Sequence, residues 1–208
     1  MFDLKYIPTS MYCMNSPTPV KDSTRDQLLE AAKSLLWEVG YESMSPRKIL
    51  ERSGAGHGSL YHHFSGKADL AGTALLEIEV ELTESLDRAL LADVSPIERI
   101  RRFLNKKRQG NKGCRLGRLT QEASIASPTL RDPIARYFSH AEKQLTQTLQ
   151  EAITSGELQP DINPRDLACG LLSIIQGGYV LSRANGNGKY ATISARGALA
   201  LLDSATLK

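Results

Sequence analysis

Between Thr24 and Gly40 the chain reads TRDQLLEAAKSLLWEVG, with Leu28, Ala31, Ala32, Leu35, Leu36 and Val39 recurring every three or four positions. That period places them on one face of a helix. Ser23 or Thr24 can cap its start, and Gly40 stands where helices commonly end. A short second helix is predicted after Ser45, a good N-cap, with Pro46 in the first turn, where its missing N–H costs nothing. Ile49 and Leu50 face inward and Gly54 stops it. Gly58 to Phe64 makes a third helix with Leu60 and Phe64 on one side. Three short helices, the last two joined by a tight Gly-containing turn, give a helix-turn-helix outline. On spacing alone many small helical bundles share it.

The helical period continues from Lys67, where Leu70, Leu75, Ile78, Leu82, Leu86 and Leu90 mark a long amphipathic helix with glutamates on its wet faces. Ser95-Pro96 opens another, carrying Ile97, Ile100, Phe103 and Leu104. A Gly-rich link, GNKGCRLG, leads through Leu119–Ile125 to a long helix from about residue 130 to 154, stopped by Gly156 and Pro160. Asn163-Pro164 starts the most apolar helix, and a last one carries Ile193, Leu199 and Leu202. Strand alternation is missing throughout, so the fold class is all-α. Residues 1–21, with three prolines and no apolar period, read as a flexible arm, and Met11 and Met14 leave room for a later start.

Composition adds boundaries. A chain of 208 residues with 41% hydrophobic and 24% charged residues can bury one substantial core, or one core plus a small module. The apolar run LACGLLSIIQGGYVL is shorter than the roughly 18–20 residues of a membrane span. The first residues lack the apolar stretch of a secretory signal. Three scattered cysteines, Cys13, Cys114 and Cys169, fit a reducing cytoplasm. A net charge of +3 permits nucleic-acid binding without demanding it.

The stretch GAGHGSLYHHFSGK, residues 54–67, holds His57, His62 and His63. Metal ligands on a helix need i, i+3 or i, i+4 spacing to share a face. Here the separations are five and six residues, the adjacent pair points about 100° apart, and no Cys, Asp or Glu lies within the stretch. Neither metal binding nor nucleophilic catalysis is expected: no nucleophile motif and no paired carboxylates stand out, and no cofactor is implied.

Residues 24–70 resemble the DNA-binding domain of the TetR (tetracycline-repressor-like) family of bacterial regulators. The resemblance is carried by Thr24, Leu28, Ala31-Ala32, Gly40-Tyr41, Ile49, Gly54, GSLYHHF, Lys67 and Leu70. GCRLGRLTQEA and the later GELQPDINPRDLACGLLSIIQGGYVLSR are similar to the C-terminal domain of a branch that includes regulators of reactive electrophiles and toxicants. Met44 and Pro46 depart from the family's usual Thr and Val or Met. Gly56-His57 replaces a common Ser-Lys or Ser-Pro pair, removing a cation where the recognition helix begins. After the arm at 1–21, the resemblance implies a DNA-binding domain at 22–68 and a ligand-binding and dimerisation domain at 69–208. It also implies a cytoplasmic homodimer on a palindromic operator, with repression as the family's default.

Helix N-termini carry unpaired N–H groups and partial positive charge, which suits them to phosphate. Thr24-Arg25, Ser45 to Lys48 with Arg47, and Lys67 mark three such ends. His57, Gly58, Ser59, Tyr61 and His62 are placed to meet base edges or flanking phosphates. His63 is expected to be partly packed, and the Tyr61 ring to lean on the first helix. The effector cavity is expected between the long helix and those after Ser95, with Phe103, Cys114, Tyr137, Gln176 and Tyr179 as candidate lining. Ligand binding there would tilt the long helix. Arg99 to Arg118 carries nine Lys/Arg and no acid. This run reads as a solvated face pairing with the acidic long helix, as an anion site, or as extra phosphate contact. Cations near Cys114 favour thiol reactivity, so electrophile or oxidant sensing is one reading of it. Cys169 reads as an inert core residue. The competing reading of the second domain is control by a protein partner, which would call for a filled interior.

Overall fold

The computed structural model describes residues 23–207. The arm read at 1–21, and Cys13 with it, lie outside these residues. The described chain forms eight α-helices and no strand: α1 Thr24–Glu38, α2 Pro46–Ser53, α3 Ser59–His63, α4 Lys67–Leu90, α5 Pro96–Asn105, α6 Pro128–Thr154, α7 Pro164–Ala184 and α8 Lys189–Ala205. Two 3-10 turns, Gly117–Gln121 and Ala123–Ala126, bridge α5 to α6.

The helix ends follow local chemistry. Ser23 caps α1 in a capping box with Asp26, so two orphan N–H groups are satisfied reciprocally. Ser45 accepts from the Lys48 N–H, and Pro46 occupies the first turn of α2. Gly54 closes α2 at φ 70°, a left-handed conformation that side chains with a Cβ resist. Asn163 caps α7 by accepting from the N–H groups of Arg165 and Asp166.

Two apolar cores hold the bundle. The first gathers Leu28, Leu36, Met44, Ile49, Leu60 and Phe64 with Leu70 to Ile78 of α4, and it also takes in Leu116, Leu119, Leu130 and Ile134. The second joins the end of α4 (Leu86, Leu90) to α5, the rest of α6, α7 and α8. The packing therefore changes hands inside α4, between Ile78 and Leu86, and residues of the 116–134 region belong to the same core as the three short helices. Met44, unusual by sequence, is a buried part of that core. At the α4–α6 crossing, a Cβ on Gly72 would lie 2.5 Å from Thr129 Cγ2, so only glycine lets these helices approach so closely. Higher up, His140 Nε2 lies 2.8 Å from Asp87 Oδ1 and joins the same pair of helices.

Helix α7 is longer than the apolar run seen in the sequence, because Pro164–Asp166 and Ser182–Ala184 extend it. By length and composition alone it could cross a bilayer, yet it packs against α6 and α8 with 28% of its apolar window buried. Its open side carries Cys169, Gly170, Val180 and Leu181. Cys169 is thus exposed rather than a core residue: it lies on the opposite side of the helix from Ala168, Leu171 and Ile175.

Candidate functional site

Helix α3 is only five residues long, and it is anchored from behind. Leu60 is wholly buried and Phe64 nearly so, each such side chain contributing about 1.5–3 kcal/mol on burial. The opposite face is open. Tyr61 is 66% exposed, and His57, Gly58, His62 and His63 are exposed with it. The Tyr61 side chain is thus mostly open to solvent, and His63, expected to be partly packed, is exposed. Instead the His63 ring meets His62 edge-on, with centroids 4.8 Å apart, because Leu60 and Phe64 already fill the space behind α3.

The flanking cations are held in different ways. Arg25 lies 5.5 Å from the Phe64 ring centroid, which puts the start of α1 beside the end of α3. Arg47 pairs with Glu51 at 2.7 Å along α2 with both side chains well exposed, an arrangement worth little in water and readily given up. Lys48 donates to the Ser43 carbonyl at 2.9 Å. Lys67 opens α4 with its ammonium 4.2 Å from the Tyr41 ring centroid. Burial pushes its pKa down, against the pull of Glu122 and Glu42. Thr24 and Ser59 stand at the first positions of α1 and α3. Of the sequence-predicted DNA-facing residues, those at α3 lie on its open side, Arg25 stands beside its end, and the others lie at the starts of α1, α2 and α4.

The other five candidates converge as well. Phe103, Cys114, Tyr137, Gln176 and Tyr179 line one inner cavity of about 230 Å³ between α4, α5, α6 and α7. A second chamber of about 420 Å³, the outer one, shares Gly113, Cys114, Phe138, Gln176 and Tyr179 with it and is also lined by Val180 and Arg183. Cys114 stands between the two, half-buried, its Sγ accepting from the Gly117 N–H at 3.3 Å. Burial raises the pKa of Tyr137, and pushes that of Tyr179 up to about 12. Both phenols therefore stay protonated and available as donors at neutral pH.

Sequence reasoning missed Trp37 and Arg108. Trp37 falls off the apolar stripe of α1, yet its ring forms part of the inner cavity wall. Its Nε1 donates to the Gly113 carbonyl at 2.9 Å, and its own carbonyl accepts from Arg118. Arg108 lies within a basic run that reads as surface, but its guanidinium turns back onto the carbonyls of Phe103 and Leu104 at 2.7 and 2.6 Å. It closes the C-terminus of α5 in this way. Burial pushes its pKa down.

The basic run is not a face paired with α4. Arg99 meets Glu151, Arg101 meets Asp203, Arg102 meets Glu98, and Lys112 meets Glu38. Only Arg115 pairs with an acid of α4, with 2.5 Å to Glu81, and Lys106 reaches that helix through the Ser85 hydroxyl. The reason is geometric: α5 packs against α6 and α8 as well as α4, so most of its cations point to other acids.

The segment after α5 also docks on the three-helix unit. Besides the Trp37 contacts, Glu122 accepts from the Glu42 N–H at 3.0 Å, and Glu42 accepts from the Ser124 N–H at 3.1 Å. Lys112 meets Glu38 at 3.6 Å. The cavity wall and the end of α1 are thereby joined directly. Among the described residues no three His, Cys, Asp or Glu come together as a metal donor set.

Comparison with known proteins agrees with this layout. Residues 28–73 match the family model described as bacterial regulatory proteins, tetR family. Residues 95–198 match that of the tetracyclin repressor-like C-terminal domain. The transcriptional regulator AcuR of Cereibacter sphaeroides is 30% identical over 158 residues, covering 72% of each chain. The HTH-type transcriptional regulator LmrA of Bacillus subtilis is 29% identical over 170 residues, 76% of this chain and 86% of that one. Among solved structures, a TetR regulatory protein from Rhodobacter sphaeroides superposes with a TM-score of 0.76 at 24% identity, over 88% of this chain and 99% of its own. Reduced Escherichia coli NemR gives 0.76 at 20%, over 89% and 98%. A helix-turn-helix with its open α3 that matches one family model, followed by a helical second half that matches the other, makes this chain a member of the TetR family of DNA-binding transcriptional regulators, which are not enzymes.

Proposed function

We propose that the chain is a cytoplasmic, homodimeric repressor. In this reading residues 22–68 bind a palindromic operator, and a small molecule or electrophile sensed within residues 69–208 releases it. The observation that carries the reading is the direct hydrogen bonding of the 113–122 segment, part of which walls the cavity, to the end of α1 and the turn after it, through Gly113 to Trp37 and Glu122 to Glu42. A ligand that moves the 113–122 segment must then disturb the unit that presents α3. The coupling runs through this latch as well as through α4. Control by a protein partner called for a filled interior, and the two chambers favour a small molecule instead.

On DNA, Thr24, Arg25, Ser45, Arg47, Lys48 and Lys67 act on phosphates, while His57, Ser59, Tyr61 and His62 reach bases or flanking phosphates and Gly58 allows close approach. The test is selection of bound sequences from a random duplex pool. A palindromic consensus is expected, weakened by Tyr61→Ala. Lys67→Ala should weaken binding to all sequences and lower the salt slope by about one ion. Failure to enrich any palindrome would overturn the reading.

Dimerisation uses the open faces of α7 and α8, where Val180, Leu181, Ile193 and Leu201 are 42–56% exposed. The two adjacent glycines of α7 divide the work. A Cβ on Gly178 would lie 2.8 Å from Ser194, so it serves the α7–α8 contact, whereas Gly177 faces open space within the subunit. Gly177→Leu should therefore fold normally and sediment as a monomer. Its operator affinity should fall about a hundredfold as bivalency is lost. A dimeric Gly177→Leu would place the interface elsewhere.

Cys114, at the junction of the chambers, is the candidate electrophile sensor. An N-alkyl maleimide should release operator from the parent and from Cys169→Ser, which removes the exposed thiol, but not from Cys114→Ser. Equal release from Cys114→Ser would exclude the role.

A further inference from the structure

We propose that the inner cavity binds a small organic anion, whose charge is met by Lys106, Lys107 and Arg108 and whose apolar body packs on Phe103, Tyr137 and Ile175. This rests on the ligand-responsive reading above and gives its effector a chemical class.

The argument comes from how the nine cations of residues 99–118 are neutralised. Five have a carboxylate within ion-pair distance: Arg99, Arg101, Arg102, Lys112 and Arg115. Lys106, Lys107, Arg108 and Arg118 have none among the described residues. Those same four line the chambers, the first three the inner one and Arg118 the outer one. Neither chamber has an aspartate or glutamate in its wall. The run is therefore largely sorted: of the five paired cations Arg115 stands in the inner wall and the other four in neither, whereas all four unpaired ones line a chamber.

Three of these cations have found only neutral partners, while Lys107 is exposed. Arg108 is held by the carbonyls of Phe103, Leu104 and Lys106, which fix its direction but bring partial charge rather than a counter-ion. Lys106 donates to the Ser85 hydroxyl. Arg118 donates to the Trp37 carbonyl, and its Nε is buried without a partner. Burial, with Arg108 and Arg88 nearby, pushes the Lys106 pKa down. Lys106 and Lys107 are exposed, but Arg108 and Arg118 are half-buried, and a desolvated cation without counter-charge is costly. A bound carboxylate or similar anion would recover that cost through charge-assisted hydrogen bonds. The inner volume of about 230 Å³ lies below the range of about 300–1,000 Å³ usual for drug-sized ligands, which selects a compact molecule.

The chain's single tryptophan, Trp37, is part of the inner wall, so its fluorescence reports occupancy in the unlabelled full chain. The probes are three acid–amide pairs of near-equal shape: benzoate and benzamide, cinnamate and cinnamamide, hexanoate and hexanamide. At least one acid is expected to bind about tenfold or more tightly than its amide, as hydrogen bonds to a charged group predict. Arg108→Gln should lose about tenfold for the acid and little for the amide. Because Arg108 also closes α5, the double variant Lys106→Gln/Lys107→Gln serves where that change impairs folding, with the same selective loss expected. Amides that bind as tightly as acids would overturn the inference, as would three acids without effect or variants that lose nothing. The experiment needs no DNA. A chain that binds the acids but enriches no palindrome keeps this inference and loses the regulatory reading, and the reverse result separates them in the other direction.

Discussion

Gly40 joins two constraints at one residue. Its φ of 86° lies in the left-handed region, and a Cβ there would stand 1.8 Å from Glu122 Oε1. Gly40→Ala should cost about 1–2 kcal/mol for the backbone and about 1 kcal/mol more by displacing Glu122 from the Glu42 N–H. In a Glu122→Ala background the second part should vanish, and a double-mutant cycle by urea denaturation reads the difference. Equal cost in both backgrounds would mean that Glu122 swings aside freely. A helix-stopping glycine at 40 was legible in the sequence. Its contact with a residue 82 positions away was not, because nothing local marks which side chain will fill the space above a turn. The same limit explains Tyr61 and His63: both read as half-packed from their neighbours, and both are exposed because Leu60 and Phe64 leave no room behind them.

Among elements, the joint between α1 and α4 is electrostatic as well as apolar. Lys33, with its side chain 9% exposed, meets Glu30, Glu77 and Glu81. Burial works against its charge, but the three carboxylates outweigh this and raise its pKa. Glu81 is shared with Arg115, and although burial opposes its charge, Lys33 and Arg115 hold its carboxyl below the ordinary value. The stability that a depressed carboxyl gives is complete above the ordinary 4.5 and disappears as pH falls below it. Lys33 contributes up to its ordinary 10.5, and its share is lost only as pH rises beyond that into strong alkali. Glu81→Gln should thus destabilise the chain by about 1–2 kcal/mol at pH 7, a value reduced for solvent screening. The gap to the parent should close as thermal melts are taken below pH 4.5. A gap unchanged by acid would mean that the ion pairs do not hold the joint. The helices themselves were readable from period and caps, since Ser45, Pro46, Gly54 and Asn163 act locally. Lys33 was not, because a lysine on a polar position shows its burial only when α4 arrives opposite it.

For the molecule as a whole, the two cores do not respect the linear boundary at residue 68. Leu116, Leu119, Leu130 and Ile134 share a core with Leu28, Leu60 and Phe64, so the helix-turn-helix unit is completed by residues that follow α5. The candidate cavity residues named from sequence do meet in space, but the inward turn of Arg108, and which cations of the run lack a carboxylate, were not legible. Charge sorting of this kind is invisible until partners are known.

The latch between Gly113, Glu122 and the end of α1 has a thermodynamic consequence. Two ligands that act on one equilibrium must weaken each other equally. If an anion in the cavity lowers operator affinity by a given factor, operator DNA lowers anion affinity by the same factor, so promoter occupancy itself would set how much effector is needed to clear it.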